Sequence, residues 1–150
     1  MVFVHKDNPL AKVTLDDLSR VFGCVEGKRL PGITNWGQLG LKGEWEHRPI
    51  HVYGYSLTTG MARYFQRTVL KGNTRWTEDL NDFDNGHRTD GQVINAGVYV
   101  LDALAKDPAG TAYANFLYSG PDVKALALRP TPATDTGNLH GRTHSHATIL

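Results

Sequence analysis

A strand that leads directly into a helix is the feature that most constrains the fold of this chain. Residues 49–70 read PIHVYGYSLTTGMARYFQRTVL, in which a β-type run (50–53) is followed by a polar turn and an amphipathic helix that opens at Thr58, Thr59 and Gly60. Backbone N–H groups at a helix N-terminus carry partial positive charge, so this turn is a candidate oxyanion site. Thr is also a common N-cap residue, so capping alone is the alternative interpretation.

Strands and helices alternate along most of the chain. Residues 2–4 are predicted to form a strand, and Thr14 with Asp17 forms the capping-box pattern of a helix that ends at Gly23. Residues 112–117 and 123–128 are predicted strands. This alternation places the chain in the α/β class.

The remaining segments are predicted from their polarity and periodicity. Residues 71–89 are polar and predict a long surface loop, after which Asp90 is expected to cap a third helix that runs to about Leu104. The helix that follows Gly60 is expected to bury Met61, Tyr64, Phe65, Thr68 and Val69. We therefore expect one α/β unit over 1–130 and an irregular, disordered tail over 131–150.

Composition excludes several classes of protein. The 150 residues are enough for one domain, and a net charge of +1 with scattered Lys and Arg argues against a nucleic-acid partner. Cys24 is the only cysteine, which excludes an intrachain disulfide and a cysteine-rich zinc site. The short apolar run at 1–4 is neither a signal peptide nor a membrane span.

The sequence contains no motif of a known catalytic site. His140, His144 and His146 form H-x3-H-x-H, but no helix or further ligand accompanies them, so adventitious metal binding is favoured over a zinc site. The other histidines are dispersed, and no nucleophile elbow, phosphate-binding loop or dinucleotide fingerprint occurs. We expect no enzyme activity, no cofactor and no specific metal, although a metal-dependent enzyme that uses these histidines is a testable rival.

Four segments together resemble a known family. VFVHKDNPLAKVTLDDLSRVF, ITNWGQLGL, PIHVYGYSLTTGMARYF and VKALAL, spread over residues 2–130, resemble the second lobe of phosphate-binding proteins. These proteins are the substrate-binding components of phosphate ABC importers. The resemblance implies a single lobe of the type II periplasmic-binding-protein fold, with a central mixed sheet flanked by helices. It also implies a periplasmic or extracellular location.

The same resemblance assigns a ligand site. The family's Ser-Gly-Thr aligns with Thr59, Gly60 and Met61, its Arg aligns with Tyr55, and its acidic position falls at Leu57 or Ser56. The implied ligand-binding residues are Tyr55, Ser56, Thr58, Thr59, Gly60 and Met61. Because a phenol replaces a bidentate cation and a thioether replaces a hydroxyl, we expect a degraded site that binds phosphate or a similar oxyanion weakly.

The family's first lobe has no counterpart in this sequence, so the chain is expected to be a truncated second lobe. Its partners would then be the missing first lobe and the ABC permease of a full-length protein. The alternative is an interaction module without transport function, which self-associates or binds a partner through the exposed inter-lobe face.

Overall fold

The computed structural model describes residues 1–23, 32–71 and 75–130. Two sequence predictions lie outside these residues: the irregular tail over 131–150 and the weighing of metal binding by the histidines of that tail.

Three α-helices and nine strands occur in the described residues. The helices are α1 (Leu15–Phe22), α2 (Gly60–Thr68) and α3 (Ala96–Ala105). The strands are β1 (Val2–His5), β2 (Lys12–Thr14), β3 (His51–Tyr55), β4 (Leu80–Phe83), β5 (Gly86–His87), β6 (Val93–Ile94), β7 (Gly110–Tyr113), β8 (Val123–Ala125) and β9 (Ala127–Arg129).

The described strands form one mixed five-stranded sheet in the order β4-β3-β7-β1-β8. β3 is parallel to both β4 and β7, whereas β1 is antiparallel to β7 and β8. Two smaller sheets pair β2 with β9 and β5 with β6. The α/β class and the central mixed sheet are confirmed. Because β3, β4 and β7 run in the same direction, the segments that follow them emerge at one edge, which we call the carboxyl edge.

The predicted start of α1 is confirmed. Thr14 Oγ1 accepts a hydrogen bond from Asp17 N at 3.0 Å, and Asp17 Oδ2 accepts one from Thr14 N at 3.2 Å. The helix buries Leu18 and Phe22, and Gly23 follows its last residue. Local capping chemistry therefore accounts for the position at which this helix starts.

The buried face of α2 differs from the predicted stripe. Phe65 and Val69 are buried as expected, but Ala62 shares their face, whereas Tyr64 is 40% exposed. A 3.6-residue period fits both faces nearly equally well in so short a helix, and packing against the sheet selects the one with Ala62.

Four predicted segments differ from the structure. The polar stretch 71–89 is not a continuous loop, because β4 and β5 lie within it. The third helix begins at Ala96 with Asn95 as its N-cap, whereas Asp90 accepts a hydrogen bond from Gln92 N in the preceding turn. The strand predicted at 112–117 ends at Tyr113, and that predicted at 123–128 is two short strands with different partners.

Tyr113 lies at the centre of the core beneath the carboxyl edge. Its ring centroid is 4.3 Å from that of Phe65 and 5.6 Å from that of Tyr55, and Phe22 and Trp76 complete the aromatic cluster. Its hydroxyl accepts from Tyr55 N at 3.1 Å and donates to Tyr55 O at 3.2 Å. The side chain of Tyr113 thus takes the place of a backbone ladder partner at the last residue of β3.

Candidate functional site

The carboxyl edge encloses a pocket of about 240 Å³. It is built where β3 turns into α2, where β4 and β7 end, and where α3 begins. Its lining residues are Tyr55, Thr59, Gly60, Met61, Asn85, Asn95, Asn115 and Tyr118. We call this cavity the edge pocket.

Four of the six predicted ligand-binding residues line the edge pocket: Tyr55, Thr59, Gly60 and Met61. The other two, Ser56 and Thr58, lie on the turn outside the lining, where their hydroxyls hydrogen bond to each other at 3.1 Å. The structure thus brings the end of β3 and the start of α2 together in one cavity.

Two backbone donors are available at the start of α2. Thr59 Oγ1 caps the helix by accepting from Ala62 N at 3.2 Å, and the same hydroxyl donates to Ser56 O at 2.8 Å. In the part of the chain that the structure describes, the N–H groups of Gly60 and Met61 have no acceptor. The capping interpretation of Thr59 therefore holds, and it leaves two N–H groups free for a ligand.

Three asparagine side chains, which the sequence reasoning missed, complete the pocket. Asn85 Oδ1 accepts from Ala96 N at 2.8 Å and Asn95 Oδ1 accepts from Gly97 N at 2.8 Å. Asn115 Oδ1 accepts from Leu117 N at 2.9 Å. Each carboxamide is oriented by these bonds, so its Nδ2 group remains a donor.

Tyr55 holds the floor of the pocket. Its side chain is buried, and its Oη accepts a hydrogen bond from Asn115 N at 3.3 Å. Burial raises the pKa of Tyr55 above its usual value, an effect that the nearby Tyr118 reinforces and the Asn115 hydrogen bond opposes. Tyr55 therefore keeps its proton at neutral pH and can donate it to a ligand.

The edge pocket carries no formal charge at neutral pH. None of its lining residues is Arg, Lys, Asp or Glu. The nearest described guanidinium on α2, that of Arg63, donates to Thr58 O at 2.9 Å. Hydrogen-bond donors and a helix N-terminus suit an anion, but the pocket offers no bidentate cation.

A separate polar cluster lies at the opposite edge of the sheet, beside a wider groove of about 660 Å³ that His47 and His51 help to line. Asp107 Oδ2 accepts from Tyr53 Oη at 2.6 Å and lies 2.7 Å from His51 Nδ1. Partial burial and the neighbouring carboxylate raise the pKa of Tyr53 to about 12. This cluster connects β3 to the segment after α3.

Among the described residues, no group of three or more His, Cys, Asp or Glu side chains could hold a metal ion.

Comparison with known proteins identifies relatives of similar sequence. Phosphate-binding protein PstS of Pseudomonas aeruginosa is 30% identical to this chain over 132 residues, which cover 85% of the chain and 36% of that protein. The chain is a homologue of phosphate-binding proteins. It spans about a third of the length of the curated relatives that it matches, and no family model matches it.

Solved structures support the same fold. One similar structure is a candidate phosphate ABC transporter substrate-binding protein with bound phosphate, from Clostridium perfringens. The match covers 85% of this chain and 43% of that protein. Its TM-score is 0.64 and its identity is 22%. Another is an ABC-type phosphate transport receptor from Vibrio cholerae. The match covers 85% of this chain and 44% of that receptor, at a TM-score of 0.57 and 18% identity. These likenesses confirm the fold of a substrate-binding protein.

The relatives also bear on the other expectations. PstS of Pseudomonas aeruginosa is by name a binding protein and not an enzyme. No helix in the described ranges is long and apolar enough to span a bilayer.

Proposed function

We propose that this chain is a phosphate- or oxyanion-binding lobe of an ABC-transporter substrate-binding protein, equivalent to the second lobe of its relatives. One observation carries the proposal. In a homologue of phosphate-binding proteins, the turn from β3 into α2 opens into a pocket where backbone N–H groups and side-chain amides are free to donate. A periplasmic or extracellular location and an ABC permease as partner belong to the same proposal.

The proposed site is weak for two physical reasons. First, its donors are neutral, and a hydrogen bond from a neutral group is about half as strong as one from a charged group. Second, the lining residues Asn85, Asn95 and Asn115 are exposed, so an anion bound among them keeps contact with water. Attraction in water is a small fraction of that in a closed site. We therefore propose a dissociation constant on the order of 1 mM for phosphate, which corresponds to a binding free energy of about −4 kcal/mol.

Amide NMR during a phosphate titration tests the proposal, with sodium chloride at matched ionic strength as the control. The expected result is saturable shifts at Gly60 and Met61 that chloride does not reproduce. No phosphate-specific shift at these amides would contradict the oxyanion site. Sub-micromolar binding would contradict the degraded site.

Gly60→Pro sharpens this test, because it removes one free donor without opposing the helix. Gly60 is the first residue of α2, where proline is favoured, and Thr59 already has the extended conformation that precedes proline (φ −85°, ψ 160°). A Cβ at Gly60 meets no atom within 4 Å. We expect phosphate affinity to fall about tenfold, the value of one hydrogen bond to a charged ligand, while the melting temperature stays close to that of the wild type. Unchanged affinity would exclude the Gly60 N–H from the site.

A second candidate function is the interaction module, and exposed apolar side chains favour it. Leu57, Val93, Phe116 and Leu117 lie in the segments around the carboxyl edge and are 45%, 61%, 58% and 75% exposed. Apolar residues grouped on one face are typical of an interaction surface. Size-exclusion chromatography with light scattering tests self-association: a dimer that Leu117→Ser converts to monomer would support it, and a wild-type monomer at high concentration would contradict it.

A further inference from the structure

We infer that Asn85 is a site of spontaneous deamidation in the folded chain, and that the first N–H group of α3 assists the reaction. The reaction converts the carboxamide of Asn85 into a carboxylate on the lining of the edge pocket. The chemical step does not depend on the proposed function. Only its effect on anion binding rests on that function.

The residue after Asn85 makes this asparagine the most reactive one in the sequence. Gly86 follows it, and no other asparagine of the chain precedes a glycine. Deamidation begins when the backbone nitrogen of the next residue attacks the side-chain carbonyl carbon. A side chain on that next residue hinders the approach, whereas glycine has no Cβ and reaches more backbone conformations than any other residue.

The structure leaves this pair of residues accessible and weakly held. Asn85 is exposed and lies between β4 and β5, outside both strands. Gly86 belongs to β5, which pairs with β6 over two residues. So short a strand pair is marginal in water, and its local opening costs little free energy. The backbone at Gly86 can therefore reach the conformation that the attack requires.

The start of α3 stabilises the oxygen that becomes charged in the reaction. Ala96 N, the first N–H group of the helix, donates to Asn85 Oδ1 at 2.8 Å, and Ala96 is buried. Attack on the carboxamide carbon converts Oδ1 into an oxyanion. A preorganised backbone donor at the positive end of a helix stabilises such a charge and withdraws electrons from the carbon under attack.

The reaction needs water as its only co-reactant. Gly86 N loses its proton to water or hydroxide and forms a bond to Asn85 Cγ. The bond between Cγ and Nδ2 then breaks, and Nδ2 takes up a proton and leaves as ammonia. The product is a five-membered succinimide, which water opens at either carbonyl carbon to give aspartate or isoaspartate. The net change replaces the NH₂ group with a hydroxyl that ionises.

Deamidation changes the charge of the edge pocket. None of the lining residues carries a formal charge at neutral pH, so the product adds a first carboxylate. Aspartate at position 85 can still accept from Ala96 N, and a negative charge near a helix N-terminus is favourable, so the start of α3 is retained. An anion in the pocket is repelled, so anion affinity falls as the protein ages.

Mass spectrometry of the full chain, incubated at about pH 8 and digested with trypsin, measures the reaction. Trypsin releases residues 76–88, a peptide that contains both Asn85 and Asn81. Asn81 is the matched internal control, because it is also exposed but precedes Asp82. We expect conversion at Asn85 to be at least about tenfold faster than at Asn81, with isoaspartate among the products.

A comparison with the chain unfolded in guanidinium chloride separates the fold from the sequence. The folded chain is expected to convert Asn85 at no less than about a tenth of the unfolded rate, because the Ala96 donor offsets much of the cost of opening β5. Gly86→Ala is expected to slow the unfolded chain by at least about tenfold. Measuring this variant in the unfolded state removes any effect of the added methyl group on packing.

Ala96→Pro tests the assisting donor. Proline is favoured at the first position of a helix, and Asn95 already has the extended conformation that precedes proline (φ −64°, ψ 142°). We expect conversion at Asn85 to slow about tenfold in the folded variant and to stay unchanged in the unfolded one. An equal folded rate would exclude the Ala96 donor. If the variant does not fold, the folded-to-unfolded ratio of the wild type decides the inference.

Conversion at Asn85 in the folded chain that is more than tenfold slower than in the unfolded chain, or no faster than at Asn81, would overturn the inference. Asn85→Asp mimics one product, and phosphate titration followed by amide NMR is expected to show an affinity about threefold to tenfold below that of the wild type. Unchanged affinity would overturn the effect on the pocket. Deamidation at Asn85 in a wild-type chain that binds no phosphate would overturn the proposed function and leave the modification site standing.

Discussion

Gly54→Ala is expected to be among the most destabilising single-methyl additions in the described part of the chain. Gly54 lies on β3 directly against the ring of Tyr113, and an ideal Cβ at this position would lie 2.3 Å from Tyr113 Cε1 and 2.8 Å from Cζ. Carbon atoms that are not bonded to each other pack at about 3.5 to 4.0 Å, so the ring must move by roughly 1 Å. Tyr113 is 1% exposed and is packed against Phe65 and Tyr55, which leaves no space for that movement.

The magnitude follows from the contacts that the movement disturbs. Overpacking of a well-packed core costs about 1–3 kcal/mol. The displaced ring also withdraws its hydroxyl from Tyr55 N and Tyr55 O, and each buried backbone group left unpaired costs about 1 kcal/mol or more. The expected loss in the free energy of unfolding is therefore about 3–5 kcal/mol, against a usual total of about 5–15 kcal/mol for a domain.

Urea unfolding followed by tryptophan fluorescence measures this loss, because Trp76 packs on Tyr113. Gly60→Ala is the stability control: its Cβ meets no atom within 4 Å, so we expect a change between zero and about 1 kcal/mol of stabilisation. Tyr113→Leu removes the ring, so adding Gly54→Ala to it should cost less than about 1 kcal/mol more. A loss below about 1 kcal/mol in the wild-type background, or equal losses in both backgrounds, would refute the steric reasoning.

Two further predictions concern stability. Thr14→Ala removes the α1 capping box and should lower the free energy of unfolding by about 1 kcal/mol in urea, whereas Thr58→Ala, which removes no helix cap, should change it by less than about 0.5 kcal/mol. The pKa of Tyr53 is raised from 10.0 to about 12, so its contribution is fully present below pH 10 and is lost as pH rises towards 12. We expect about 1 kcal/mol after solvent screening, and Tyr53→Phe should flatten the stability profile between about pH 10 and 12; an unchanged slope would contradict this assignment.

Elements with local signals were predictable from sequence. Thr14 and Asp17 define the start of α1 through bonds three residues apart, and the run from β3 into Thr59 and Gly60 defines the start of α2 in the same way. β4 was not predictable, because its four residues, LNDF, have neither an apolar run nor a strict alternation. It is a strand because β3 provides a parallel partner along its length.

The residues of the candidate site also differ in whether local sequence signals could predict them. Tyr55, Thr59, Gly60 and Met61 are nearly contiguous, so one turn motif and a family resemblance were enough to name them. Asn85, Asn95 and Asn115 come from three segments that only the strand order β4-β3-β7 and the direction of α3 bring together. The available sequence signal was weak. Asn95 and Asn115 each accept from the N–H two residues later, a pattern that also occurs in ordinary turns, and Asn85 accepts from the distant Ala96 N.

The asparagines link the stability of the fold to the polarity of the pocket. Each uses its oxygen to satisfy a backbone N–H at a helix or turn start, and each is thereby left with its NH₂ group for a ligand. The donor character of the pocket is thus a consequence of capping and not a separate property. Because Asp caps as well as Asn, an Asn→Asp change preserves the fold and reverses the polarity at that point.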